Sequence, residues 1–180
     1  FFVRMLRNRS EKKQEYAIAV IQEALPEYLY TLDPAYLETL EPYTKSGSGR
    51  DLLIEYLIDI HSELNGTIKQ AAKSLYFDLG LQSDSESKMK SLRWFEKVAG
   101  IKETTLMENS DGYELVKDCL SHSDPEVRRS AKIGMVELKK IKGLKDLALV
   151  NDPLSDWSFM SIHSILSRHP YKIRKKDLKI

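Results

Sequence analysis

The chain has 180 residues, of which 42% are hydrophobic and 31% charged, and its formal net charge is +1. This composition suits one globular domain or a short stack of repeats, and it excludes an intrinsically disordered chain. No run of about 18 apolar residues occurs, so no segment within the chain is expected to span a bilayer.

The first segment combines an apolar start with clustered bases. Residues 1–3 are Phe-Phe-Val, and five bases and one acid follow within residues 4–13. This order is typical of the cytoplasmic flank of a membrane helix, but it equally fits a first helix with Phe2 and Met5 facing a core. A membrane tether before Phe1 is therefore one of two hypotheses for this end.

Charge is unevenly distributed along the rest of the chain. Residues 14–127 carry ten bases and twenty-one acids, whereas residues 128–180 carry thirteen bases and five acids. The acidic middle argues against a long nucleic-acid track, and the basic end suits phosphates, anionic lipid or an acidic protein surface, although a solvated helix face gives the same count.

Apolar residues recur every three or four positions, which predicts an all-α fold. One such stripe consists of Leu92, Phe95, Val98 and Ala99. We expect nine helices, at residues 10–23, 34–42, 50–64, 67–80, 87–99, 111–121, 125–139, 143–150 and 155–167.

The segments between the apolar stripes contain residues that are typical of helix starts and helix ends. Three Asp-Pro pairs place a side-chain acceptor at the N-cap and proline at the first helical position: Asp33-Pro34, Asp124-Pro125 and Asp152-Pro153. Glycines at 80, 100 and 143 are predicted helix stops, and residues 46–49 and 82–87 are predicted flexible stretches.

A twelve-residue pattern occurs at 68–79 and again at 127–138, with a looser copy around Ser161. Its small central residue, Ala72 or Ala131, lets a neighbouring helix approach closely. Units of this kind bury their apolar faces by stacking on one another.

The segment Asp124-Pro125-Glu126-Val127-Arg128-Arg129-Ser130-Ala131 resembles the start of the second helix of a HEAT repeat, and the resemblance covers roughly residues 50–80 and 87–168. It implies a right-handed α-α superhelix of stacked antiparallel helix pairs, similar to armadillo proteins, with the second helices lining a concave binding face. The family's ladder of Asp and Arg maps onto Asp124 and Arg128, and Ser158 interrupts it.

The resemblance also implies three regions. Residues 1–48 are expected to be an N-terminal helical cap, juxtamembrane if the tether exists, and residues 49–168 the HEAT-like repeats. Residues 169–180 are a basic stub or the start of a further helix. The 155–167 helix is apolar nearly all round, which predicts either further cover or an exposed patch used for assembly.

Signatures of catalysis are absent from the sequence, including HExxH, phosphate-loop and nucleophile-elbow motifs. Cys119, His122 and Asp124 cluster at a helix end, but Cys119 lies on an apolar stripe and no further ligand is evident, so a structural role is favoured. A single cysteine also fits a reducing, cytoplasmic location. We expect no enzymatic activity, no catalytic residue, no metal, no cofactor and no small-molecule substrate.

The functional hypothesis is a non-enzymatic helical-repeat scaffold that binds a protein partner, with Arg128, Arg129, Lys132 and Lys139 as contacts. Two alternatives stay open: a nucleic-acid-binding HEAT-like protein similar to DNA glycosylases, and a structural domain of a larger membrane protein. The scaffold is expected in the cytoplasm or on the cytoplasmic face of a membrane.

Overall fold

A computed structural model describes the backbone of residues 2–150 and 153–168 and the side chains from residue 11 onward. These residues form ten α-helices and no strand, so the predicted all-α class is confirmed. The helices are α1 Phe2–Thr31, α2 Pro34–Thr44, α3 Gly47–Glu63, α4 Thr67–Asp78, α5 Gln82–Lys90, α6 Trp94–Leu106, α7 Tyr113–Asp118, α8 Pro125–Lys139, α9 Ile141–Ala148 and α10 Asp156–Arg168.

The chain divides into two compact units, Phe1–Leu81 (unit 1) and Gln82–Ile180 (unit 2). The expected boundary after residue 48 falls inside α3. The stub predicted at 169–180 lies outside the described residues. Among the helices that are described, none combines the length and apolar character needed to cross a membrane.

Unit 1 is built around α1, which packs on α2, α3 and α4. Its first helix is longer than the predicted 10–23, because it continues through Pro26 to Thr31. Leu25 and Leu29, on either side of the proline, are 0% and 3% exposed, and their burial offsets the backbone hydrogen bond that proline cannot donate.

The helix junctions of unit 1 depend on side-chain caps. Asp33 caps α2, as predicted, by accepting from the amide of Ala35 at 2.9 Å. The stretch predicted to be flexible at 46–49 is instead ordered helix: Ser46 accepts from the Gly49 amide at 3.1 Å and α3 begins at Gly47. A side chain at Gly49 would clash with the backbone of Tyr43, so this glycine serves close packing.

In unit 2, α6 packs on α5 and α8, and α8 also contacts α7, α9 and α10. Its core includes two clusters of mostly apolar side chains. The first consists of Met89, Ile101, Tyr113, Val116, Cys119, Val127, Ala131 and Met135, and the second of Val136, Leu147, Ile162 and Ile165. The predicted loop at 82–87 is wrong, because these residues form most of α5. The predicted 87–99 helix is wrong too, because residues 91–93 form a turn, leaving Leu92 100% exposed and Phe95 52% exposed.

Two glycines predicted to stop helices lie within them. Gly100 is in α6, where an added Cβ would overlap the carbonyl oxygen of Ser85 in α5. Gly143 is in α9, where the overlap would be with the carbonyl of Met135 in α8. Both positions therefore serve the close approach of two helices.

The predicted bounds and N-cap of α8 are confirmed. The helix spans residues 125–139, and the Asp124 carboxylate accepts from the Glu126 amide at 2.8 Å. Its central small residue, Ala131, is completely buried, as is Ala72 at the matching position of α4. Both copies of the sequence pattern therefore bury the same small residue.

The last described helix is only partly covered. On α10, Ile162 and Ile165 are buried, but Trp157, Phe159 and Met160 are 61–68% exposed. The segment expected to supply further cover, residues 169–180, lies outside the described residues, so both expectations for this helix stay predictions.

Candidate functional site

A groove runs between α6, α8 and α10 of unit 2 and has a volume of about 620 Å³. Its lining is largely apolar, with these side chains prominent: Ile101, Leu106, Ile133, Trp157, Met160 and Ile165. Concave apolar surfaces of this size are typical of binding sites, and the contributing helices make this one rigid.

The floor of the groove depends on a small residue in α8. An added Cβ at Gly134 would lie 2.8 Å from the hydroxyl oxygen of Thr105 and 3.3 Å from Ile101. The Thr105 hydroxyl is itself occupied, because it donates to the carbonyl of Ile101 at 2.6 Å. Gly134 thus lets α6 approach α8, and the groove stays open above their line of contact.

The rim exposes large apolar side chains to solvent. Trp157 is 65% exposed, Met160 68% and Leu106 44%. Contiguous apolar surface is costly to leave in water and commonly marks an interaction site. Tryptophan in particular is enriched among the residues that dominate binding energy at interfaces.

Charged side chains complete one edge of the groove. Glu137 pairs with the ammonium of Lys140 at 3.2 Å, and the guanidinium of Arg168 lies 3.8 Å from its other oxygen. Lys102 lines the same groove from α6. Bases therefore outnumber acids around the apolar surface.

A smaller polar cleft, of about 240 Å³, lies where α8 and the start of α10 meet. Three of the four predicted contact residues line it, Arg128, Arg129 and Lys132. Lys132 lies four residues after Arg128 and three after Arg129, spacings that place it beside each of them on α8.

The three side chains differ in what they bind. Lys132 is 5% exposed, and its ammonium donates to the carbonyl of Pro153 at 2.9 Å. Arg128 donates to the carbonyls of His122 and Ser123 at 2.9 and 2.7 Å, so it braces the loop before α8. Arg129 pairs with Glu126 at the surface. Lys132 therefore serves the fold from the interior, and Arg128 and Arg129 are both partly exposed.

Lys139, the fourth predicted contact, does not line the cleft or the groove. Its ammonium lies 5.8 Å from the centre of the Tyr113 ring, and that of Lys142 lies 5.5 Å away. The Tyr113 hydroxyl donates to Asp146 at 2.6 Å. Burial, with that acidic partner, raises the pKa of Tyr113 above its usual range, so it stays a neutral donor.

Cys119, His122 and Asp124 each occupy a structural position. Cys119 is 6% exposed in the core of unit 2, and burial raises the pKa of its thiol. His122 accepts from the Asp124 amide at 3.1 Å, and the Asp124 carboxylate caps α8. Within residues 2–150 and 153–168, no three His, Cys, Asp or Glu side chains are grouped as metal ligands would be.

Comparison with known proteins adds no identification. No family model matches the chain, and no curated protein matches it significantly. Functional inference therefore starts from the groove and the charges around it.

Proposed function

We propose that the chain is a non-enzymatic helical-repeat scaffold that binds a protein partner in the groove between α6, α8 and α10. The observation that carries this proposal is the solvent-exposed apolar rim, formed by Trp157, Met160 and Leu106. The apolar surface of the lining suits binding by shape and apolar contact.

The helix order of unit 2 supports a HEAT-like stack. Taken in sequence, α5 with α6 and α7 with α8 are packed helix pairs, and α9 and α10 are the next two helices, each of which packs on α8. The second members contact one another in turn, α6 with α8 and α8 with α10, and together they bound the groove. This is the arrangement expected if second helices line the binding face of a right-handed superhelix.

The occupant that fits best is an amphipathic helix of the partner, bearing acidic residues on its flanks. A groove bounded by parallel ridges of side chains accepts the apolar face of a helix, as other helix-in-groove complexes do. Residues 128–168 carry eight bases and four acids, and Lys102 and Arg168 border the groove itself. Acidic flanks would meet this field favourably and would speed association.

A binding assay with a designed peptide tests the proposal. The probe is a helix of about four turns with Leu along one face and Glu along the other. In the Trp94→Phe variant Trp157 is the sole tryptophan, so its emission reports on the groove. We expect the acidic peptide to shift that emission to the blue and a Lys-for-Glu peptide to bind about tenfold more weakly.

Two matched variants localise the binding. Met160→Asp places a charge on the rim and should abolish the shift, whereas Leu149→Asp changes a side chain that is 77% exposed and outside the groove lining, and should leave it unchanged. Equal loss in both variants, or tighter binding of the Lys peptide, would contradict the proposal. Steeply salt-sensitive binding to random duplex DNA would instead favour the nucleic-acid alternative.

A further inference from the structure

The turn between α5 and α6, taken here together with the first two residues of α6, exposes three large apolar side chains to solvent. Leu92 is 100% exposed, Trp94 48% and Phe95 52%. The two aromatic rings meet edge to face with their centroids 6.0 Å apart. These residues lie outside the groove lining, so they form a separate apolar surface on unit 2.

This turn is closed by its own polar groups. The Ser91 amide donates to the Lys88 carbonyl at 3.1 Å, and the Ser91 oxygen accepts from the Arg93 amide at 3.1 Å. The Ser91 hydroxyl also donates to Glu96, which lowers the pKa of that carboxyl, and Arg93 pairs with Glu96 at 3.0 Å.

A second anchor fixes the base of the turn. The ammonium of Lys97 donates to the carbonyl of Met89 at 2.7 Å, which ties the start of α6 to the end of α5. The apolar side chains are therefore presented by a bonded, ordered turn. Such preorganisation lowers the entropy cost of binding.

The chemistry of the turn fits the surface of an anionic bilayer. Leu, Trp and Phe are the side chains that enter the boundary between headgroups and acyl chains, and tryptophan favours that depth. Lys88 pairs with Glu103 and Arg93 with Glu96, and the exposed side chains of Lys90 and Arg93 flank Leu92. Bases at this position attract anionic headgroups while the apolar tip enters the membrane.

We propose that this turn is a membrane-contacting site, which inserts Leu92, Trp94 and Phe95 into the interface of an anionic lipid bilayer. The tip protrudes between two helices, and a fluid interface accepts such a protrusion without a matching pocket. This site is independent of the groove, so a scaffold carrying it would hold its protein partner at a membrane surface.

Vesicle binding by the full chain tests the site. In the Trp157→Phe variant Trp94 is the sole tryptophan. We expect its emission to shift to the blue, and the protein to co-sediment, with phosphatidylcholine vesicles containing about one third phosphatidylserine. Phosphatidylcholine vesicles alone should bind more weakly.

Substitutions at the tip should reduce vesicle binding without affecting folding. Leu92→Ser and Phe95→Ser should each lower the partition coefficient about tenfold, with an unchanged far-ultraviolet circular dichroism spectrum. Leu149→Ser is the matched control, because Leu149 is 77% exposed elsewhere in unit 2. Met160→Asp should also leave vesicle binding intact, which separates this site from the groove.

Three results would overturn the proposal. The first is the absence of both the blue shift and co-sedimentation with anionic vesicles. The second is a loss in Leu149→Ser as large as that in Leu92→Ser. The third is self-association in the absence of lipid that Leu92→Ser abolishes, measured by sedimentation equilibrium, which would assign the turn to a contact between copies of the chain.

Discussion

Two glycines at helix boundaries of unit 1 differ in purpose from two glycines within helices of unit 2. In unit 1, Gly66 and Gly80 lie at helix boundaries with φ angles of +73° and +65°, and a Cβ added at either would meet open space. In unit 2, Gly100 and Gly143 lie within helices, where a Cβ would overlap the backbone of a neighbouring helix. Gly66 and Gly80 allow a backbone conformation with positive φ, whereas Gly100 and Gly143 allow two helices to pack closely.

The two units also differ in how their exposed apolar residues are arranged. In unit 1 the large exposed apolar residues are Tyr16 and Tyr30 on α1, Leu32 just after it and Leu64 at the end of α3. Scattered residues of this kind are ordinary on protein surfaces. In unit 2 they gather along the groove and at the α5–α6 turn. Binding surfaces are therefore proposed for unit 2 alone.

The largest expected effect comes from filling the space that Gly100 leaves. Gly100→Ala would drive a methyl group into the backbone of Ser85 and to 2.8 Å from the Met89 amide nitrogen. Backbone atoms yield only with displacement of the whole helix, so the free energy of unfolding should fall by about 3 kcal/mol in urea denaturation.

Gly47→Ala is the control for this change. Gly47 opens α3, and its added Cβ would meet nothing within 4 Å. The higher helix propensity of alanine should leave the protein unchanged or more stable by up to about 1 kcal/mol. A similar loss in both variants would mean that helix spacing in unit 2 is not set by glycine.

A smaller effect is expected from Arg50, which joins three parts of unit 1. Its guanidinium donates to the carbonyls of Thr44, Leu79 and Gly80 at 3.0, 3.2 and 3.1 Å. Arg50→Met keeps much of the aliphatic stem and removes these donors, so the free energy of unfolding should fall by about 2 kcal/mol.

Lys45→Met is the control for the arginine. Lys45 forms an ion pair with Glu41 in which the side chains are 70% and 61% exposed, and pairs of this kind contribute less than about 1 kcal/mol. Thermal unfolding of the two variants under identical buffer conditions compares them. Equal shifts in Tm would show that the Arg50 bonds do not stabilise unit 1.

The smallest effect should be the same in both units. Asp33 and Asp124 cap α2 and α8 with closely similar distances, 2.9 and 2.8 Å to the amide two residues on. Substitution of either by alanine should cost about 1 kcal/mol, and asparagine should restore most of the loss. A difference between the two sites of more than about 1 kcal/mol would mean that the caps depend on their unit.

Features set by a few neighbouring residues could be predicted from the sequence. The Asp-Pro pairs at 33 and 124 identify helix starts because the cap and the proline act locally. The helix start predicted from the third pair is wrong, because Pro153 lies outside any helix and α10 begins at Asp156. The repeat pattern likewise identifies Ala72 and Ala131 as buried.

Features set by distant partners could not be predicted. Leu92 and Phe95 have helical spacing, but spacing does not reveal which face another helix covers. Lysine is usually a surface residue, so the sequence predicts an exposed Lys132. The side chain is instead held in the interior by the carbonyl of Pro153, 21 residues away in the sequence. The groove needs three helices at once, and nothing within any one of them encodes its width.

The length of α1 has a consequence for its dynamics. Thirty residues of helix extend about 45 Å, whereas α2 and α3, with 11 and 17 residues, extend about 16 and 26 Å. The side chains of residues 11–16 are all exposed, and Ile21 is the first fully buried side chain of the described part of α1. Amide protons of one continuous helix should therefore exchange with deuterium on two timescales, rapidly through local fraying at 11–16 and only with opening of unit 1 near Leu25.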